Sequence, residues 1–239
     1  MANKDPIELN LFSNRVSAIC DEMGSVLKRA AFSPNIKDRL DYSCAIFDRN
    51  GEMFAQADHM PVHLGSMAYA MHKIVQGVEW KQDDYLMLND PYLGGTHLPD
   101  VTVISPVYLN GVQLVGFVVN RAHHANIGCD TPGSMPISSH LEEEGLVIPP
   151  TFLVRNGEVQ QNAARLLGIQ EDGLTGDFAA QIGANQIGST RLEQLVKKMG
   201  LDVYERRIRQ LNDLAEGLAL IAISKLKQGT YRFLDYLDD

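Results

Sequence analysis

The chain has 239 residues, 45% of them hydrophobic and 21% charged, which is typical of a folded globular protein and excludes a disordered or fibrous chain. A formal net charge of −9 disfavours nucleic-acid binding, and three widely spaced cysteines predict neither a disulfide framework nor a thiolate zinc site. No stretch has the roughly 18 apolar residues of a membrane span and no signal peptide is apparent, so we expect a cytoplasmic protein that binds neither nucleic acid nor a membrane.

The first thirty residues have the pattern of an amphipathic helix. Asp5 is suited to the N-cap and Pro6 to the first helical position. Apolar residues then recur mostly three to five positions apart up to about Ala31. Pro34 is expected to end this helix.

Asn-Gly pairs at residues 50–51 and 110–111 predict two β-hairpins, because this dipeptide adopts the tight turns that reverse a strand. The four strands that they join are expected at Tyr42–Phe47, Glu52–Gln56, Val101–Tyr108 and Val112–Asn120. A helix at Leu64–Val75 and a buried strand at Tyr85–Leu88 are expected between the hairpins.

The second half of the chain has a long segment without a clear period, residues 122–150, followed by a helical region. Such a segment is more often functional than idle. Residues 188–227 have a helical pattern with a break expected at Gly200, and a strand-like run begins near Tyr231.

These elements predict an α+β fold with a mixed, mainly antiparallel sheet, flanking helices and a C-terminal helical arm. We divide it into a metal-binding catalytic domain at residues 1–187 and, at residues 188–239, the helical arm with the start of a strand.

Polar residues with ligand chemistry lie at both ends of the second hairpin. His97 and Asp100 precede its first strand, and His123 and His124 follow its second strand. Because the turn lies about ten residues from each end, strand pairing is expected to bring His97, Asp100 and one of the later histidines together. Two histidines and a carboxylate commonly hold a catalytic divalent metal. The alternative is that these side chains only cap turns and bond backbone groups.

Three other residues are weaker candidates. His59 and His63 flank Pro61 and either bind substrate or belong to a structural loop. Glu144 ends the acidic run at residues 142–144, which provides a general base, a contact linked to ATP, or simply a solvated charged surface.

Several strings taken together resemble the hydantoinase B family, which includes the B subunit of N-methylhydantoinase and the C-terminal half of 5-oxoprolinases. The resemblance runs through essentially the whole chain and corresponds to the N-terminal part of the family pattern. The segments that carry it are residues 33–47, 55–67, 89–100, 123–128, 132–135 and 143–146.

The resemblance implies a metal centre. Matched by motif, the implied ligands are Asp41, His97, Asp100 and His123. His124 and Asn126 are the expected supporting or alternative ligands. Nitrogen and oxygen donors without a thiolate suit zinc, manganese or iron.

The resemblance also implies a function shared between subunits. An A-type subunit would bind ATP and Mg and phosphorylate a small-molecule substrate, and the B-type subunit would complete the opening of a hydantoin, 5-oxoproline or lactam ring. We expect His59 or His63 to orient the attacking water and Glu144 to act in catalysis. The alternatives are a B-type subunit of an ATP-dependent ketone carboxylase and a non-catalytic assembly fragment.

The chain departs from the family pattern in two ways. It has Asn126 and Cys129 where the family commonly has Asp and a second Gly, so we expect a different substrate preference. Family members are normally much longer. We therefore expect the rest of the B subunit to come from a second chain that joins at the strand-like residues 231–239, or to have been removed.

Overall fold

The computed structural model of the protein describes residues 6–57, 59–168 and 176–236. Its centre is an open sheet, which in these ranges has seven strands and only antiparallel pairs. The strands are β1 (Tyr42–Asp48), β2 (Met53–Gln56), β3 (Tyr85–Leu88), β4 (Asp100–Leu109), β5 (Gln113–His123), β6 (Thr151–Arg155) and β7 (Glu158–Val159). Across the sheet they run in the order β2-β1-β5-β4-β3-β6-β7.

Both predicted hairpins are confirmed. β1 pairs with β2, and the longer β4 pairs with β5 from Asp100↔His123 to Leu109↔Gln113. At the second turn, Asn110 and Gly111 have φ values of 51° and 72°, the left-handed conformation that an Asn-Gly hairpin turn requires. Because both strands are long and central, they fix which side chains meet at the open end of this hairpin.

Helices cover both faces of the sheet. They are α1 (Pro6–Ala30), α2 (Pro34–Lys37), α3 (Val62–Gly77), α4 (Gln161–Leu166), α5 (Gly176–Met199) and α6 (Leu201–Ser224). One core cluster joins α1, α5 and the start of α6 to one face, and a second joins α3 to the other face. The sheet is therefore the middle of three layers, which explains why β4 and β5 are apolar on both faces.

The side of the sheet that a strand residue faces follows the two-residue period of a strand. On β1, Tyr42 and Cys44 pack with α1, whereas Ala45 and Phe47 pack with α3. Ser43 lies on the α3 side, where its hydroxyl contacts His63. The α3 side of the sheet is therefore the side on which polar residues at the strand ends can meet.

The helical C-terminal part is confirmed, with differences at its ends. The break at Gly200 is present, with φ of 84°, but α5 begins at Gly176 and not near residue 188. Its buried face is made largely of small and amide residues, including Gln181 and Asn185, which hide the helical period. Division of the chain after residue 187 falls within α5, and the two-domain division stays a prediction.

Other expectations were incomplete or wrong. Pro34 does not simply end a helix, because it begins the short helix α2, where a proline suits the first turn. Strands β6 and β7 and helix α4 were not predicted. The strand predicted near the end of the chain is absent from residues 231–236, which pair with no neighbouring strand. Residues 237–239 lie outside the described residues, as does the predicted N-cap Asp5. Among the residues described, no helix combines the length and apolarity needed to span a membrane.

Helices α1 and α5 approach closely at Gly188, against the buried side chain of Met23. A Cβ atom added to Gly188 would lie 2.4 Å from Sδ of Met23, whereas one added to Gly183 of the same helix meets nothing within 4 Å. We expect Gly188→Val to lower the free energy of unfolding by about 1–3 kcal/mol through overpacking. Urea denaturation measures this loss. Gly183→Val is the matched control, and an equal loss in both variants would contradict the close packing of α1 on α5.

Candidate metal centre

Five side chains from four parts of the chain meet at the open end of the β4–β5 hairpin. Asp100 and His123 are paired in register across the two strands. Asp41 directly precedes β1, and its carbonyl oxygen accepts a hydrogen bond of 3.1 Å from the backbone N–H of His123. His63 comes from the first turn of α3, and His97 comes from the loop before β4. The strand pairing therefore assembles the predicted ligands, and α3 adds His63.

Asp100 is the central residue of this cluster. Its Oδ1 lies 3.1 Å from Nε2 of His97 and 3.7 Å from Nδ1 of His123, and its Oδ2 lies 3.3 Å from Nε2 of His63. Thr96 donates a hydrogen bond from its hydroxyl to Oδ2. Asp41 lies on the other side, with Oδ2 3.4 Å from Nδ1 of His123 and Oδ1 3.8 Å from Nε2 of His63.

The cluster is buried except along one edge. The side chains of His63, Asp100 and His123 are at most 3% exposed, whereas Asp41 is 22% and His97 is 40% exposed. A ligand or substrate from solvent therefore meets His97 and Asp41 first.

Two atoms in the cluster are buried without a hydrogen bond among the described residues, Oδ1 of Asp100 and Nδ1 of His123. The other ring nitrogen of His123, Nε2, lies 2.8 Å from the carbonyl oxygen of Gly133 and therefore carries the proton of the neutral ring. Nδ1 then presents a lone pair toward two carboxylates. A lone pair that faces two carboxylates is unfavourable unless a proton or a metal cation lies between these groups, and the donor set fits a divalent metal.

The electrostatics of Asp100 and His123 agree with a cation site. Burial raises the pKa of Asp100, but the neighbouring imidazoles of His63 and His97 and the hydroxyl of Thr96 outweigh burial and hold that pKa well below its usual range. Burial lowers the pKa of His123, but Asp41, the Gly133 carbonyl and the Asp100 charge outweigh burial and raise it. Both directions show that the two carboxylates favour a positive charge beside them.

A buried arginine, which the sequence reasoning missed, ties three elements of the site together. Arg121 is fully buried and donates hydrogen bonds to Thr102 Oγ1 (2.8 Å), Ser66 Oγ (2.6 Å) and the Gly94 carbonyl (2.6 Å). Burial lowers its pKa to about 10, against the opposing effect of the Asp100 charge, so it stays charged at neutral pH. A charged residue that follows the apolar run at residues 114–119 of β5 was the sequence signal that could have revealed it.

The loop that leaves β5 is held by α5. Asp177 accepts backbone hydrogen bonds from Phe32 (2.7 Å) and Ser33 (3.0 Å) and another from the Ser33 hydroxyl. That hydroxyl in turn accepts a hydrogen bond of 2.7 Å from the N–H of Ala125. The chain segment after His123 is therefore anchored through Ser33 and Asp177.

Four sequence candidates have their observed contacts outside the cluster. The ring of His59 packs 4.8 Å from that of Tyr42, and its Nδ1 accepts a 3.2 Å hydrogen bond from the N–H of Cys44, toward the α1 face. His124 is buried on the α5 side, with Nε2 2.9 Å from Oε1 of Gln181. The remaining two, Glu144 and Asn126, contact Ser138 and the N–H of Gly128 respectively. Their predicted roles stay predictions.

Comparison with known proteins gives a family for nearly the whole chain. The profile of the hydantoinase B/oxoprolinase family matches residues 5–239. Over 207 residues the chain is 43% identical to an uncharacterized protein of Methanocaldococcus jannaschii, covering 82% of this chain and 36% of that protein. It is 41% identical to a 5-oxoprolinase of Dictyostelium discoideum (98% of this chain, 20% of that one) and 31% identical to the B-type subunit of a putative D-/L-hydantoinase of Pseudomonas sp. (98% and 41%).

Solved structures share the fold. The crystal structure of an ATP-dependent caprolactamase from Pseudomonas jessenii superposes with a TM-score of 0.84 at 30% identity, covering 95% of this chain and 40% of that chain. An acetone carboxylase structure has a TM-score of 0.74 at 20% identity, covering 87% and 28%, which supports the fold alone. The chain spans between a fifth and about two fifths of the length of the three curated relatives.

The anchor at Asp177 gives a pH-dependent prediction. Burial raises the pKa of Asp177, but hydrogen bonds from Ser33 and Phe32 outweigh it and lower the pKa below its ordinary 3.8. Because the folded-state pKa is lowered, its contribution is complete well above pH 3.8 and is lost as the pH falls through the lowered pKa. We expect Asp177→Asn to cost about 1–2 kcal/mol at pH 7, a difference that narrows below pH 4, measured by urea denaturation of metal-free protein. The exposed Asp202→Asn is the control, and a penalty independent of pH would contradict this role of Asp177.

Proposed function

The chain belongs to the hydantoinase B/oxoprolinase family, and from this we propose that it is the metal-bearing part of a B-type subunit in an ATP-dependent cyclic-amide hydrolase. One observation carries the proposal: Asp100 Oδ1 and His123 Nδ1 are buried without hydrogen bonds inside a cluster of two carboxylates and three imidazoles. A purely structural loop is not expected to bury polar atoms without hydrogen bonds, because each unpaired buried polar group destabilises the fold.

The residues that would hold the metal are His97, Asp100, His123 and Asp41. Their nitrogen and oxygen donors suit zinc, manganese or iron. Bound there, a divalent metal would supply Lewis-acid chemistry, polarising a carbonyl group and lowering the pKa of a water.

Other residues of this chain orient the metal ligands and form the edge of the site. Thr96 holds the Asp100 carboxylate by a hydrogen bond to Oδ2, and the imidazole of His97 lies 3.1 Å from its Oδ1. The Gly133 carbonyl fixes the proton of His123 on Nε2, so that Nδ1 faces the cluster. The partly exposed side chains of His97 and Asp41 form the edge at which a carbonyl substrate would enter. The buried charge of Arg121 favours the ionised form of Asp100.

ATP and Mg would be bound by an A-type partner, which would activate the substrate by phosphorylation. This part of the proposal is supported by the Pseudomonas sp. relative, whose name makes it one subunit of a hydantoinase, and by the caprolactamase, described as ATP-dependent. Because the relatives are longer, a further segment or chain would complete the B subunit. The runner-up is an ATP-dependent ketone carboxylase, which is favoured by the fold shared with acetone carboxylase.

The metal proposal predicts a loss of binding when one ligand is removed. We expect the purified chain, dialysed against Mn²⁺ or Zn²⁺, to retain metal, and His123→Ala to lower its affinity at least tenfold because a buried nitrogen donor is lost. Elemental analysis by mass spectrometry measures the retained metal. The exposed His140→Ala is the control, and full retention by His123→Ala would show that the site is misassigned.

The reaction is tested with the partner present. We expect the chain, combined with an A-type subunit and any further B segment, to open a lactam, hydantoin or 5-oxoproline ring at the expense of ATP. Products are identified by mass spectrometry. Carboxylation of a ketone with bicarbonate, without ring opening, would favour the ketone carboxylase. If neither product forms although metal is bound, a role in assembly alone is what remains.

A further inference from the structure

The last turns of α6 expose an apolar surface. The first half of this helix packs into the core through Tyr204 and Ile208, which are 1% and 5% exposed. The same side of the helix continues with Leu214, Leu218 and Ile221, which are 51%, 59% and 56% exposed. The apolar side of α6 therefore runs on beyond the part of the protein that covers it.

A groove of about 590 Å³ borders this side of α6. Pro6 and Leu9 of α1 form one wall, and Leu211, Leu214 and Leu218 lie on the other. Most of the surface that lines the groove is apolar. Exposed apolar surfaces of this kind mark sites where another polypeptide packs, because removing apolar surface from water is favourable.

The end of α6 is apolar on its other side as well. Leu220 and Ile223 lie roughly opposite Leu218 around the helix, and both are exposed. A helix that is apolar all round is normally buried within a larger structure. Pairing of α6 with the same helix of a second copy would cover one side and leave the other side in water. A partner that covers both sides has to be larger than one helix.

The relatives contain such a polypeptide. The part matched by this chain makes up 36% of the Methanocaldococcus jannaschii protein, 41% of the Pseudomonas sp. hydantoinase subunit and 40% of the caprolactamase chain. More than half of each relative therefore lies outside the matched part. The match to the Pseudomonas sp. subunit takes in 98% of this chain, so it extends into α6. In that subunit, a large further part of the same polypeptide is available to pack on the equivalent helix.

We propose that the exposed end of α6 is the docking surface for the remaining part of the B-type subunit. The inference rests on the proposed function and deepens it by naming where that part binds. This α6 surface consists of Leu214, Leu218, Leu220, Ile221 and Ile223. Helix α6 packs with α1 on one side of the sheet, whereas the metal centre lies on the side that α3 covers. Changes in the α6 surface are therefore expected to leave metal binding intact.

The test uses the segment of the M. jannaschii relative that follows its matched part, produced in the same cells as this chain. We expect the two chains to copurify as a one-to-one complex, measured by native mass spectrometry. Leu218→Glu is expected to weaken this complex about tenfold or more, because a carboxylate replaces a buried apolar contact. Val112→Glu is the matched control, since Val112 is 85% exposed at the β4–β5 turn, and we expect it to bind like the wild type.

A second measurement does not require the added segment to fold alone. The same segment is joined to the end of this chain in one polypeptide. We expect amide hydrogen exchange at residues 214–224 to slow about tenfold or more relative to this chain alone, because a covered helix opens less often. Circular dichroism verifies that each variant folds.

Three results would overturn the proposal. Association that Leu218→Glu leaves unchanged would remove the α6 surface from the interface. A dimer of this chain alone that Leu218→Glu abolishes would make a second copy the occupant. Absence of both the complex and the slowed exchange would show that the rest of the B subunit docks elsewhere. Metal retention tests the proposed function separately, because the wild type and Leu218→Glu are expected to retain metal equally.

Discussion

The register of β4 against β5 is the constraint on which the rest of the site depends. It sets Asp100 opposite His123 at the open end of a ten-pair ladder, on the side of the sheet that α3 covers. A shift of one residue would turn every side chain of one strand to the opposite face. The Asn110-Gly111 turn and the apolar residues on both faces of the hairpin therefore position a polar cluster about ten residues away from the turn.

Bringing two carboxylates together in a largely buried place is unfavourable in itself, because burial disfavours charge and like charges repel. The fold offsets this cost with fixed hydrogen-bond donors and a buried arginine. Thr96 and the histidines stabilise the Asp100 carboxylate, and the charge of Arg121 acts on it from within the core. The two unpaired atoms that remain, Asp100 Oδ1 and His123 Nδ1, mark where that compensation is incomplete and where a metal ion would complete it.

Sequence alone predicted the parts of the site that depend on local signals. The Asn-Gly turns predicted both hairpins, and the spacing around the second turn predicted that His97 and Asp100 converge with one of the two later histidines, His123 or His124. Asp41 entered only through the family resemblance, since its place beside His123 depends on the pairing of β1 with β5, residues far apart in the chain. His63 was predicted as a catalytic group, and its position among the metal ligands follows from how α3 packs on the sheet. The amide-rich face of α5 hid that helix in the same way, because Gln181 and Asn185 are buried through long-range hydrogen bonds to β4 and β5.

The central claim is that a metal ion belongs between Asp100 and His123. The most direct measurement is anomalous X-ray scattering from crystals of the chain grown with Mn²⁺ or Zn²⁺, with data on both sides of the absorption edge. We predict a strong anomalous peak bounded by Asp100 Oδ1, His97 Nε2 and His123 Nδ1. Saturating metal with no anomalous peak within bonding distance of these atoms, or a peak only at surface carboxylates, would contradict the claim.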